Sequence, residues 1–167
     1  MAIDVFAADE QSAAPVELER WSTLARSVLE SRGIKGEAEV SLLFVEEDAI
    51  AALNERFLER QGPTDVLAFP VEDDPVAPGR FPDMGGTGPG SDVADEPPLL
   101  LGDVVVCPAV AERNAKERSI GYDDEIALLI VHGLLHLLGM DHAIDAEAEA
   151  MEALEQKLLA SFYKGVP

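Results

Sequence analysis

An α/β or α+β layer structure in a single domain is predicted by three observations. Strand-like apolar runs alternate with helix-period stripes along the chain, Val104-Val105-Val106 forms a run suited to a strand covered on both faces, and apolar residues are plentiful enough for a core. Hydrophobic residues make up 47% of the 167 positions, a size at which roughly 70% of the unfolded surface is buried on folding. Disorder of the whole chain is excluded, and residues 1–167 are expected to form one unit.

Ile3 to Phe6 reads as a first strand. Pro15 then opens a helix whose apolar residues Leu18, Trp21, Leu24, Val28 and Leu29 recur at spacings of three and four, and Gly33 ends it. Val40 to Val45 is rich in strand formers. Glu46, Glu47 and Asp48 follow at the positive end of a second helix, expected to bury Ile50, Leu53 and Phe57 and to break at Gly62-Pro63. Asp65 to Phe69 and Gly102 to Cys107 read as further strands. Two more helical patterns follow, the second starting near Asp123, and a last helix runs from about Asp145 to Phe162.

From about residue 71 to 98 prolines, glycines and acids dominate, and Arg80 is the one basic residue. Such a stretch lacks the apolar surface to fold alone and is expected to be a disordered acidic insertion between two strands. Strand and helix patterns on either side of it share one alternation, which makes it a loop within the domain.

Cys107 is the one cysteine, so an intrachain disulfide is excluded and a reducing, cytoplasmic setting is expected. The first residues carry no basic region ahead of an apolar stretch, so no export signal is read. The apolar stretch Ile126 to Met140 falls short of the roughly 20 residues of a membrane span, and no membrane association is expected. A formal net charge of −21 opposes the usual basic nucleic-acid binder, whose Lys and Arg contacts to phosphate supply most of the sequence-independent affinity.

All three histidines lie in the eleven residues His132 to His142. His132 and His136, four apart on a helix, project from one face with Cβ atoms about 5–6 Å apart. Gly139 is placed to take a left-handed conformation and turn the chain so that His142 reaches the same point. Three neutral imidazoles leave a divalent ion its full charge and an open position, the arrangement that lowers the pKa of metal-bound water to roughly 7. Zinc leads on ligand type, while nickel, cobalt and copper also accept nitrogen. A structural metal with Cys107 as fourth ligand is the alternative, although a buried cysteine acting as a small hydrophobe suits its setting better.

The spacing matches the zinc-peptidase pattern H-E-x-x-H-x-x-G-x-x-H, with Gly133 where the glutamate general base would stand. Peptidase chemistry by that route is disfavoured. Asp141 is the nearest acid to the cluster, with Asp65 and Asp103 as further candidates, and no general base is assigned. Arg113, Lys116 and Arg118 form a basic cluster on a helix that precedes the histidines.

His132-Gly133 through Met140-Asp141-His142 resembles the H-G-x-L-H-L-x-G-[YFM]-D-H signature of the YbeY family of bacterial endoribonucleases and rRNA maturation factors. Leu53-Asn54, Gly62 to Pro70 and Leu101-Gly102-Asp103-Val104 resemble three further family motifs in the same order, so the likeness covers about residues 37–162. It implies a compact domain with a small mixed, mainly parallel sheet packed with helices and a zincin-like histidine helix. One Zn2+ per chain would be held by His132, His136 and His142. It also implies cleavage of single-stranded RNA in 16S rRNA 3′-end maturation and ribosome quality control, with the ribosome or ribosomal proteins as partners and no DNA substrate. Attack on the phosphodiester would come from metal-bound water or from the ribose 2′-OH. The family's substrate arginine aligns with Leu58, and Arg56 and Arg60 beside it are the candidates to replace its phosphate contact. Two alternatives are a noncatalytic ribosome-assembly factor with a structural metal and a metallohydrolase of peptides or small molecules.

Overall fold

The computed structural model describes residues 3–34, 37–70, 99–140 and 145–163. The expected insertion at 71–98 lies outside them. Four strands, β1 (Ile3–Glu10), β2 (Ala38–Val45), β3 (Val66–Pro70) and β4 (Leu99–Val106), form one sheet in the order β1-β2-β4-β3. β1, β2 and β4 are parallel, while β3 runs antiparallel to β4 at the edge. The sheet is mixed and mainly parallel, as the family resemblance implies.

Five α-helices accompany it among the described residues: α1 (Leu18–Ser31), α2 (Glu47–Leu58), α3 (Pro108–Arg118), α4 (Tyr122–Leu137) and α5 (Asp145–Leu158), with a π-helical turn over Leu159–Tyr163. The valine run shows how they are arranged. Successive strand residues face opposite sides of a sheet; Val104 and Val106 enter the main core with α1, α4 and α5, whereas Val105 joins a smaller cluster with Ile50 of α2, Val45, Leu67 and Cys107. The sheet is thus covered on both faces, unequally. Trp21 sits in the main core at 1% exposure, where its helix stripe placed it.

α1 starts at Leu18, three residues beyond Pro15, and Gly33 follows its end with φ +74°. α2 departs from expectation in two ways. It stops at Leu58 rather than at Gly62-Pro63, because Glu59 takes a left-handed φ of 56° and the chain turns there. Buried Asn54 fixes the turn: its backbone carbonyl accepts from Arg60 N at 3.3 Å, and its side chain donates to the Gly62 carbonyl at 3.0 Å. Phe57, expected inside, is 54% exposed; its ring meets Phe69 of β3 edge-on with centroids 5.5 Å apart.

α4 is buried along most of its length, with acids Asp123, Asp124 and Glu125 in its first turn, where they oppose the positive end of the helix dipole. It packs on α1, α3, β3 and β4. A Cβ added at Gly133 would stand 2.7 Å from Val104 Cγ1, so the absence of a side chain there is what lets α4 lie this close to β4. Among the described residues no helix is long and apolar enough to cross a membrane.

Candidate metal and RNA site

α4 presents His132 and His136 on the one strip of its surface that is only half buried. Their spacing of four brings the two Nε2 atoms to 3.0 Å, with ring planes at 77°. The helix then ends in a Schellman turn: Gly139 N donates to the His136 carbonyl and Met140 N to that of Leu135, both at 3.0 Å, with Gly139 at φ +96°. The left-handed glycine expected from the sequence is therefore present. His142 and Asp141 lie outside the described residues. Among the described residues no group of three His, Cys, Asp or Glu side chains is placed to hold an ion.

Glu155 of α5, only 7% exposed, meets His132 from behind and accepts a hydrogen bond at Oε2 from Nδ1. An ionised carboxylate only accepts, so this contact puts the imidazole proton on Nδ1 and turns the Nε2 lone pair toward His136. A carboxylate behind a histidine is also the arrangement that orients imidazole ligands of metals. The sequence reading did not find Glu155. Its signal was an acid four residues after Met151 and three before Leu158, inside the apolar stripe of α5.

Both histidines line a cleft of about 740 Å3 that runs along the outer edge of β3 between α4 and the loop after α2. Thr64, Asp65, Val66, Ala68 and Pro70 form one wall, and Arg60 and Arg118 are its cationic side chains. Of the two arginines proposed to meet substrate, Arg60 lines the cleft. Arg56 does not; its guanidinium lies over the Phe57 ring, 5.2 Å from the centroid. Leu58 lines the cleft at 45% exposure.

The candidate acids separate as well. Asp65 is in the cleft wall, where its Oδ2 accepts from Asn114 at 3.2 Å. Asp103 alternates with Val104 and so shares the sheet face of Val105, away from α4. Cys107 is wholly buried in that smaller cluster, and burial pushes its thiol pKa up. It does not join the histidines. Position 133 is equally informative, since it points at Val104 and Val66 in the sheet. A general base there would have no room.

Fold and site together define an α/β protein that sets a paired-histidine helix, braced by a buried glutamate, over a cleft at the edge of a mixed sheet. The chain belongs to the endoribonuclease YbeY family: the family model described as Endoribonuclease YbeY matches residues 6–163. An Endoribonuclease YbeY of Thermobifida fusca is 40% identical over 167 residues, covering 99% of this chain and 97% of that protein. One from Acidothermus cellulolyticus is 43% identical, covering 91% and 87%. The solution structure of a Thermotoga maritima protein is similar, with a TM-score of 0.54, 23% identity, and coverage of 97% of this chain and 92% of that one. At that identity the likeness concerns the fold.

Proposed function

We propose that the protein is a metal-dependent endoribonuclease that cleaves single-stranded RNA during rRNA processing, at the 3′ end of the 16S precursor and in ribosome quality control, in association with the ribosome. The observation that carries this reading is the convergence of the His132 and His136 Nε2 atoms, braced by Glu155, in the cleft of a chain from an endoribonuclease family. The donor set fits an ion. Two imidazole nitrogens about 2.0–2.1 Å from a tetrahedral zinc are separated by about 3.3 Å, close to the 3.0 Å found here. His142 would be the third ligand: it follows Met140, which lines the cleft, by two residues, a reach of at most about 7 Å.

When bound, zinc supplies positive charge and Lewis-acid polarisation to a phosphoryl oxygen. The chain's own residues do the rest. Glu155 keeps the His132 proton on Nδ1 and fixes the ring, α4 holds His136 in register, and Arg60 offers guanidinium donors to phosphate from the opposite loop. Among the described residues no strand pairs with the outer edge of β3, which gives an extended strand a place to lie.

The test incubates metal-assayed protein with end-labelled single-stranded RNA beside a folded His136→Ala variant and a chelated sample. Cleavage by the metallated parent alone is the expected result, and the product ends, 5′-phosphate or 2′,3′-cyclic phosphate, identify the attacking group. Equal cleavage by His136→Ala refutes the reading.

A further inference from the structure

Glu125 is a buried acid that the histidine site leaves unused. Its side chain has no exposure; Oε1 accepts from Arg118 Nη1 at 3.1 Å, and Oε2 has no hydrogen-bond partner among the described residues. Burial pushes the Glu125 carboxyl pKa up, and the Arg118 guanidinium beside it pulls the other way, so the charged form of this acid depends on that pairing. The pairing therefore holds the guanidinium in place. Arg118, the last residue of α3, keeps 54% of its side chain exposed and lines the same cleft as His132 and His136. A guanidinium carries five N–H donors in a planar fork, so with Nη1 engaged by Glu125 several remain to meet an anion.

Placement along α4 gives this arginine its register. Glu125 precedes His132 by seven residues, two helical turns, which puts both on one face about 10 Å apart along the axis. Leu58 contributes apolar surface to the cleft, and among the described residues its arginines are Arg60 and Arg118.

We infer that Arg118, anchored by Glu125, is a phosphate-binding residue that grips the RNA backbone beside the phosphodiester held at the histidine pair. Glu125 is the positioning residue; Arg118 is the one that touches substrate. The inference rests on RNA being the substrate of this cleft.

The experiment measures equilibrium binding and the steady-state cleavage of a labelled single-stranded RNA across a range of salt. It compares the metallated parent chain with Arg118→Lys, the double variant Arg118→Gln/Glu125→Gln, and Arg113→Gln as a control. The double variant removes the pair as a unit and leaves no buried charge unpaired; circular dichroism and thermal melting confirm its fold. Arg113 pairs with Glu47 and lies outside the cleft lining, so its variant should match the parent. In the double variant kcat/KM should fall tenfold or more, mostly through KM, and the slope of log affinity against log salt should flatten by about 0.7, one single-strand phosphate contact. Arg118→Lys should keep the salt slope yet bind several-fold more weakly, because a point charge replaces the fork. A folded double variant within twofold of the parent, with unchanged slope, overturns the inference, as does a parent chain that fails to bind single-stranded RNA. Binding with the expected change of slope but without cleavage leaves Arg118 as assigned and instead overturns the endoribonuclease reading.

Discussion

Replacing Gly133 by alanine tests the contact that sets α4 against the sheet. The new Cβ would stand 2.7 Å from Val104 Cγ1 and 3.3 Å from Cγ2, with Val66 Cγ2 at 3.5 Å. The nearest of these is closer than packed carbons approach, and Val104 is itself fully buried, so either its rotamer or the helix must shift. Overpacking of this kind costs about 1–3 kcal/mol. Against it stands the gain of alanine over glycine in a helix, about 0.5–1 kcal/mol. The expected net is a destabilisation of about 1 kcal/mol, or about 2–4 °C in Tm for a chain of this size. Urea denaturation of Gly133→Ala, Val104→Ala and the double variant measures it, because shrinking the valine should relieve the clash and make the double variant more stable than the sum of the singles. If Gly133→Ala stabilises the protein by the full propensity gain, the close approach does not exist. The space at position 133 would then also be open to a side chain, and the explanation for the missing glutamate would fail with it.

Three other outcomes are expected. Glu155→Gln keeps an acceptor for His132 Nδ1 but loses the charge behind it, so zinc affinity should drop tenfold or more in competition with a calibrated chelator; an unchanged affinity would show that the contact does not brace a ligand. Leu58→Arg puts a cation on an exposed cleft position, and should tighten single-stranded RNA binding while steepening its salt slope by about 0.7. Tyr122 and Tyr163 both have pKa values pushed up to about 12, by burial first and then by the nearby acids Asp123 and Asp124 respectively. Unfolded tyrosines ionise near 10, so between about pH 10 and 12 the unfolded chain holds fewer protons and stability falls as pH rises. Urea midpoints measured from pH 8 to 12 should show that decline, and Tyr122→Phe/Tyr163→Phe should weaken it.

The parts of this molecule legible in the sequence are those where local pattern and tertiary role agree. The valine run announced a strand buried on both faces, and it has one residue in each core cluster for every turn of the pleat. His132 and His136 were legible because a spacing of four fixes a common helix face whatever surrounds it. Strand lengths were not. Asp9 and Glu10 are poor strand formers, yet β1 runs through them because the parallel ladder continues opposite Phe44 and Val45. Phe57 is exposed although it lies on the helix period of Ile50 and Leu53, because periodicity says which face a residue takes but not how much of it the neighbouring layer covers. Glu155 was hidden for a related reason: an acid in an apolar stripe becomes meaningful only once a partner on another helix is seen beside it.

The charge of the chain poses the sharpest conflict with an RNA substrate, and the cleft resolves it by position. With 33 acids against 12 bases, long-range attraction to a polyanion is absent, and any affinity must come from contacts made at short range. Two acids around the cleft are already engaged: Glu155 is hydrogen-bonded to His132, and Glu125 is paired with Arg118. Both carboxyl groups are buried among neighbouring side chains, where they meet little of the opening. Arg60 and Arg118 and a cation at the histidines would then act on phosphate at distances comparable to or shorter than the screening length of about 8 Å at physiological salt, where nearby charges outweigh a diffuse net charge. Such a site selects a strand that is delivered to it over one found by diffusion, so a chain this acidic should process RNA best where another body holds the strand in place.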